Sequence, residues 1–281
     1  MKYVTYDAGQ GPRVGALENG GVVDLGFEGD MVAFIEAGAP VGTRTPVSSG
    51  SSIRLLAPLR PRSMRDFLAF EGHLKNAMVR LGRAIPAEWY SVPAFYKGMP
   101  DTVIGPEEMI PWPAYTEKLD YELELAAIIG RRGKDIVRED AISYIFGYTI
   151  WNDVSARDIQ TRELPVNMGP CKAKDWDGSN VLGPCIVSAD ELDASDLRMT
   201  VSVNGEMRGE DTSAHMHHTF AAMIAYASQA QTLYPGEIFG SGTAAGGSGL
   251  ELDRFLQEGD IVEMEIAGIG ILRNRISRRG A

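Results

Sequence analysis

The sequence predicts an α+β chain dominated by strands, with a small N-terminal α/β domain over residues 1–58 and a larger, mainly-β domain over residues 59–281. Three observations carry that prediction. Short apolar runs bounded by Gly, Pro, Asn and Asp recur along the chain, as strands do. Segments with helical spacing are few and scattered. Strands and helices do not alternate regularly, so a doubly wound parallel sheet is excluded.

In the N-terminal unit, Lys2–Tyr6, Arg13–Leu17 and Gly21–Asp24 read as strands, and Met31 to Ala37 as a short helix stopped by Gly38. Pro40–Ser52 is rich in Pro, Gly, Ser and Thr and reads as a linker. No pattern in this unit points to chemistry, and it is expected to act as a cap or packing module. Further on, Arg65–Leu81 has helical spacing, because Phe67, Phe70, Leu74, Ala77 and Leu81 can share a face. Strands are expected at Asp120–Ile129, Tyr144–Asn152, Gly183–Ser188, Met199–Val203, Glu237–Gly240, Ile261–Ile266 and Gly270–Ile276. Phe220–Gln231 reads as a helix that ends before the Tyr234-Pro235-Gly236 turn.

An apolar content of 44% is enough for a sizeable core and argues against intrinsic disorder. The net charge of -11 excludes an ordinary nucleic-acid binder and disfavours adsorption to an anionic membrane. No apolar run approaches the roughly 18 residues of a spanning helix, and the N-terminus lacks a signal-peptide core, so a cytoplasmic protein is expected. Cys171 and Cys185 share no CxxC or zinc-type spacing. Two buried free thiols are expected rather than a disulfide.

The chemistry is concentrated in Leu119–Ile129. On a strand, Glu122 and Glu124 point to one face, while Tyr121, Leu123 and Leu125 point to the other. Two neighbouring carboxylates in a buried place repel one another and lose hydration, and a bound cation relieves both problems. The alternative is an exposed strand face with two solvated glutamates. Asp153 ends the apolar strand Tyr144–Trp151, where it can complete a carboxylate set or cap a helix starting at Val154. All-oxygen ligation selects magnesium, manganese or calcium over zinc. His215, His217 and His218 have a spacing that permits a metal on a strand, but loop or helix-entry residues are the expected reading. The glycines around Gly240, Gly242 and Gly246 do not match dinucleotide spacing, although their loop can offer backbone N–H groups to a carboxylate. Ala84–Tyr96, with Pro86, Trp89, Tyr90 and Phe95, reads as an apolar lid.

Four motifs occur in order: Arg65-Asp-Phe-Leu-Ala-Phe-Glu-Gly-His73, then DYELELAAIIG from Asp120, GYTIWNDVSARDIQ from Gly147, and GPCKAKDWDGSNVLGP from Gly169. Together with GSGTAAGGSGLEL from Gly240, they closely resemble the fumarylacetoacetate hydrolase superfamily, over about Met64 to Arg275. The resemblance implies a mixed β-sandwich roll beside the small N-terminal domain. It also implies metal ligation by Glu122, Glu124 and Asp153, with Asp66 at a further acidic position that ligates in some branches. His73 matches the catalytic histidine, Glu251 the glutamate that orients it, and Lys174 the lysine beside the metal, with Lys172 as its rival. Arg157 and Gln160 match polar positions around the substrate, and Thr243 matches a threonine that binds the substrate carboxylate. Leu68 stands where some relatives carry a substrate-contacting tyrosine. The run His73-Leu-Lys-Asn lacks the local His–Glu pair of the decarboxylase-like branch, which favours pairing of His73 with Glu251.

The activity so implied is magnesium-dependent hydrolysis of a carbon–carbon bond in an acylpyruvate or related 1,3-dicarbonyl acid, with Mn2+ or Ca2+ as possible substitutes. The alternative is isomerisation or decarboxylation of an unsaturated 2-oxo diacid in aromatic catabolism, at the same metal site. A small-molecule 2-oxo acid substrate and a homodimer are expected, with neither nucleic acid nor membrane as partner.

Overall fold

The computed structural model describes residues 1–47 and 53–280. The N-terminal part contributes β1 (Lys2–Asp7), β2 (Pro12–Glu18), β3 (Gly21–Asp24), α1 (Met31–Glu36), β4 (Thr45–Pro46) and β5 (Arg54–Leu55). There follow β6 (Ser63–Phe67), α2 (Glu71–Leu81), β7 (Phe95–Gly98), β8 (Val103–Ile104), β9 (Met109–Trp112), β10 (Leu119–Asp120) and β11 (Leu123–Ile129). The middle of the chain forms β12 (Ile145–Asp153), β13 (Ser155–Ala156), α3 (Arg157–Glu163), β14 (Asn180–Ser188), β15 (Arg198–Val203) and β16 (Glu206–Thr212). It closes with α4 (Phe220–Ala227), β17 (Glu237–Gly240), α5 (Gly249–Leu252), β18 (Ile261–Ile266) and β19 (Gly270–Arg279).

Among the described residues, the main sheet runs β4-β3-β2-β1-β14-β12-β11-β17-β6-β7, with β5 on β1 and β8 on β14. A second sheet runs β16-β15-β18-β19-β9, and β10 pairs with β13. The fold is therefore mainly β with mixed sheets, as the residue pattern predicts. β1 pairs with β14, so the N-terminal strands continue the main sheet.

One core lies between the two sheets, where Leu125 and Ile150 meet Val201, Met264 and Leu272. A second lies on the opposite face of the main sheet, where Ala126, Ile128, Trp151 and Ile186 pack under Met31, Phe34 and Ile35 of α1. α1 is fixed there by Asp30, whose carboxylate accepts from the Ala33 N–H at 2.8 Å, a cap worth about 1 kcal/mol. Every residue of β11 is buried, because alternate side chains enter alternate cores. That alternation sets Glu122 and Glu124 on the face of Ala126 and Ile128, away from Leu123 and Leu125.

Some sequence expectations need correction. Arg65–Leu81 is not one helix: Ser63–Phe67 is a strand, parallel to β17 and antiparallel to β7, and the helix begins at Glu71. A strand buried on both faces has no polar alternation, so pairing with distant strands decides it against the local spacing. The helix expected to reach Gln231 ends at Ala227, and the Ser228 hydroxyl beyond it accepts from Ile136 N–H. Cys171 is exposed and only Cys185 is buried. Cys171 lies on a surface loop, with its thiol donating to the Met168 carbonyl. Of the expected linker, Thr45–Pro46 pairs with β3, while residues 48–52 lie outside the described residues.

Candidate active site

Three strands of the main sheet, β12, β11 and, across β17, β6, bring the acids together. β11 carries Glu124, with Glu122 just before its first residue, and β12 delivers Asp153 at its last residue. Glu124 lies opposite Trp151 in the β11–β12 ladder, and the Asp153 N–H donates to the Glu122 carbonyl at 3.3 Å. β6 delivers Asp66, opposite Gly240 of β17. A Cβ on Gly240 would come within 2.8 Å of Asp66 Oδ1, so glycine leaves room for that carboxylate. β12 runs to Asp153 with no helix starting at Val154, so Asp153 joins the acids instead of capping.

Asp66, Glu122, Glu124 and Asp153 each offer an oxygen within 4.8 Å of the others, and all four are buried. The solvated-face reading of Glu122 and Glu124 therefore fails. Both oxygens of Glu124, Oδ1 of Asp66 and Oδ1 of Asp153 have no hydrogen-bond partner. Burial raises the pKa of Asp66, Glu124 and Asp153; the Asp153 charge adds to it at Asp66, the Asp66 charge adds to it at Glu124, and at Asp153 burial outweighs the opposing Lys174. Buried acceptors without donors are costly, and a divalent cation satisfies all of them at once. The residues present fit such an ion.

Cations hold the flank of this cluster. Lys174 Nζ donates to Glu122 Oε2 at 2.5 Å, to Ser155 Oγ at 2.8 Å, and to Asp153 Oδ2. Arg157 spans Asp120 at 2.7 Å and Glu122 Oε1 at 2.7 Å, and its third nitrogen reaches Gln160 Oε1 at 3.0 Å. Burial disfavours the Glu122 charge, but Arg157 and Lys174 outweigh it and hold its pKa below the usual carboxylate range. Burial likewise opposes the Lys174 charge, yet Asp153 and Glu122 raise its pKa, so it stays an ammonium. Tyr96 completes the group, its hydroxyl donating to Asp153 Oδ2 at 2.6 Å.

His73, on the first turns of α2, contacts Glu251 of α5, with Nδ1 3.0 Å from Oε2. Glu251 also accepts from Asn76 at 2.8 Å, Gly246 N–H at 2.9 Å and Ser248 at 3.0 Å. Burial works against its charge, but His73 and these donors lower its pKa. An ionised Glu251 only accepts, so Nδ1 carries the proton and the lone pair of a neutral His73 is on Nε2.

Asp66, Glu122, the two cations and His73 share one cavity of about 400 Å³. Asp66, His73, Glu122, Arg157, Gln160, Lys174 and Thr243 line it, as do the apolar Leu68, Leu74, Met78, Phe95, Leu164 and Leu250. Gly242 turns at φ +75, with its α-carbon so close to Phe67 that a Cβ would lie 2.3 Å from the Phe67 carbonyl oxygen.

Lys172 is exposed and donates to the Asp175 carbonyl, so of the two rival lysines only Lys174 reaches the acids. The three histidines after Ala214 are engaged elsewhere: His215 by Asp211 at 2.6 Å, His217 by the Tyr90 carbonyl at 2.9 Å, and His218 by the Trp89 carbonyl at 2.6 Å. His217 and His218 brace the 84–96 segment, with the Trp89 ring packed against both at centroid distances of 4.9 and 5.2 Å. Sequence reasoning missed Tyr96, Asp120 as the anchor of Arg157, and Arg80 on the cavity wall. A hydroxyl or guanidinium 37 to 171 residues from its partner leaves no local spacing signal.

A family model described as fumarylacetoacetate (FAA) hydrolase C-terminal matches residues 62–277. The chain belongs to the fumarylacetoacetate hydrolase family. It is 33% identical to the mitochondrial oxaloacetate tautomerase FAHD2B of Bos taurus, covering 98% of this chain and 91% of the relative. Among solved structures it is similar to the fumarylacetoacetate hydrolase of psychrophilic Exiguobacterium antarcticum, with TM-score 0.83, 29% identity and 99% of both chains covered. It is also similar to the 5-carboxymethyl-2-hydroxymuconate delta-isomerase of Mycobacterium smegmatis, with TM-score 0.78 and 27% identity over 99% of this chain and 100% of that one. Family membership makes the chain an enzyme, with a buried acidic cluster able to hold a divalent metal.

Proposed function

We propose that this enzyme is a divalent-metal-dependent isomerase of a 2-oxo diacid, moving a proton between carbon and oxygen of the keto–enol unit. The observation that carries this over hydrolysis is the similarity, along nearly the whole chain, to a relative named as an oxaloacetate tautomerase. The likeness to a hydroxymuconate isomerase structure supports the same reaction class.

Asp66, Glu122, Glu124 and Asp153 would hold the ion, with magnesium first and manganese or calcium able to replace it. When bound, it supplies Lewis-acid stabilisation of the charge that develops on an enolate. The side chains do the rest. His73 Nε2 takes the proton from the carbon next to the 2-oxo group and delivers it to the 2-oxo oxygen, or carries it from that oxygen to the carbon in the reverse direction, while Glu251 keeps the imidazole in the required tautomer. Lys174 adds fixed positive charge beside the enolate, and Thr243 lies in the wall as a donor for the 2-oxo acid's carboxylate. Arg80 favours a diacid. Of the Arg and Lys side chains lining the cavity, it alone among the described residues lacks an acidic side-chain partner, donating only to the Glu251 carbonyl at 2.8 and 3.2 Å. It is exposed, two turns along α2 from His73, where the distal carboxylate of a substrate would emerge.

Hydrolysis of an acylpyruvate is the second reading. The His73–Glu251 pair favours it, because the same base can deprotonate water. An ultraviolet assay across 2-oxo diacids and acylpyruvates, with and without magnesium and with products identified by mass, separates the readings. Unchanged mass supports isomerisation, and two acids support hydrolysis. Carbon dioxide would indicate decarboxylation. A homodimer completes the proposal by family analogy, and a monomer by light scattering would remove it. No helix among the described residues is long and apolar enough to cross a membrane.

A further inference from the structure

We propose that Tyr96 is a positioning residue of the metal centre, its hydroxyl occupying one oxygen of Asp153 so that only the other faces the ion. Asp153 Oδ2 accepts from both Tyr96, at 2.6 Å, and Lys174. Asp153 Oδ1 is buried with no partner at all. The other acids are arranged differently. Glu122 has a cation on each oxygen, and Glu124 has no partner on either. Glu122, Asp153 and Glu124 therefore meet the centre with none, one and two free oxygens.

The backbone fixes this arrangement. Tyr96 lies directly opposite Asp66 in the β6–β7 ladder, so both side chains leave the sheet on one face. Its neighbour Phe95 pairs with Phe67, ring centroids 5.0 Å apart, and holds the register from the other face. A slip of one residue would turn Tyr96 away from the acids. Lys174 reaches the same oxygen on a long flexible stem, whereas the phenol arrives on a short, rigid side chain. Removing such an outer partner of a ligand typically weakens metal binding by roughly 10- to 100-fold.

The inference rests on the metal-centre reading but not on which reaction follows. Its test is Mn2+ binding by isothermal titration, with the paramagnetic signal of free Mn2+ as a second readout, for wild type, Tyr96→Phe and Tyr96→Leu. Tyr96→Phe is expected to bind Mn2+ at least about tenfold more weakly, and Tyr96→Leu similarly, while Tyr96→Phe keeps the wild-type melting temperature in chelator. If Tyr96→Phe binds within twofold of wild type, the role of the hydroxyl is overturned, even where Tyr96→Leu binds poorly, because the ring alone then matters. If the wild-type chain takes up no Mn2+, the metal centre itself is overturned.

Discussion

Glu124→Gln is expected to stabilise the metal-free protein and to weaken its response to metal. Glu124 is fully buried, neither oxygen has a partner, and its ligating oxygen lies within 4.8 Å of those of Asp66, Glu122 and Asp153. Two ionised carboxylates 4.8 Å apart repel by about 3.5 kcal/mol at an effective dielectric constant of about 20. Asp66 and Asp153 both act on Glu124 in this way. Protonation relieves part of the repulsion, and an imperfectly paired buried amide costs about 1–3 kcal/mol, so a net gain of about 2 kcal/mol remains. At about 2 °C per kcal/mol for a chain of this size, the melting temperature in chelator should rise by about 4 °C. With magnesium at a hundred times its dissociation constant, wild type gains about 2.7 kcal/mol, or about 5 °C, and the variant gains little. Thermal melts followed by circular dichroism, with chelator and with magnesium, read both effects. A variant that is destabilised in chelator yet gains as much from magnesium as wild type would refute the reasoning.

Stability of the metal-free protein should fall as pH rises. Asp66, Glu124 and Asp153 have raised pKa values when folded, so from about pH 4 upward the folded chain binds more protons than the unfolded one. Glu122 and Glu251, with lowered values, stabilise above the unfolded value and lose that contribution as pH falls through their folded values, so the slope reverses in stronger acid. Urea midpoints against pH, with chelator and with magnesium, check this, since the metal should flatten the slope near neutrality. Glu251→Gln should lower kcat by roughly 100-fold with KM little changed, because it no longer fixes the His73 tautomer; steady-state kinetics read the split. Arg80→Ala should raise KM about tenfold for a 2-oxo diacid and leave an acylpyruvate with a neutral tail within twofold, compared in one assay.

Much of this site can be read from sequence because its ligands lie on strands with strong local patterns. Glu122 and Glu124 share a face by strict alternation, and the apolar run after them marks a strand buried on both sides. Glu237–Gly240 and Ile261–Ile266 occupy the expected positions, since both are short apolar runs cut off by turn residues. Ser63–Phe67 was not legible as a strand. Its partners lie at 95–98 and 237–240, and fully buried residues obscure the period of two. The pairing of His73 with Glu251 came from family resemblance, because 178 residues separate them. Tyr96 has neither local pattern nor motif, and only the register opposite Asp66 reveals it.

Ketonisation of enol-oxaloacetate, followed by loss of enol absorbance with product mass recorded, tests the isomerase proposal most directly. The expected result is a magnesium-dependent acceleration that chelator abolishes and His73→Ala greatly reduces, with substrate mass unchanged. Contradiction would be an acceleration indifferent to chelator and to His73, or products split into two acids at the rate of enol loss.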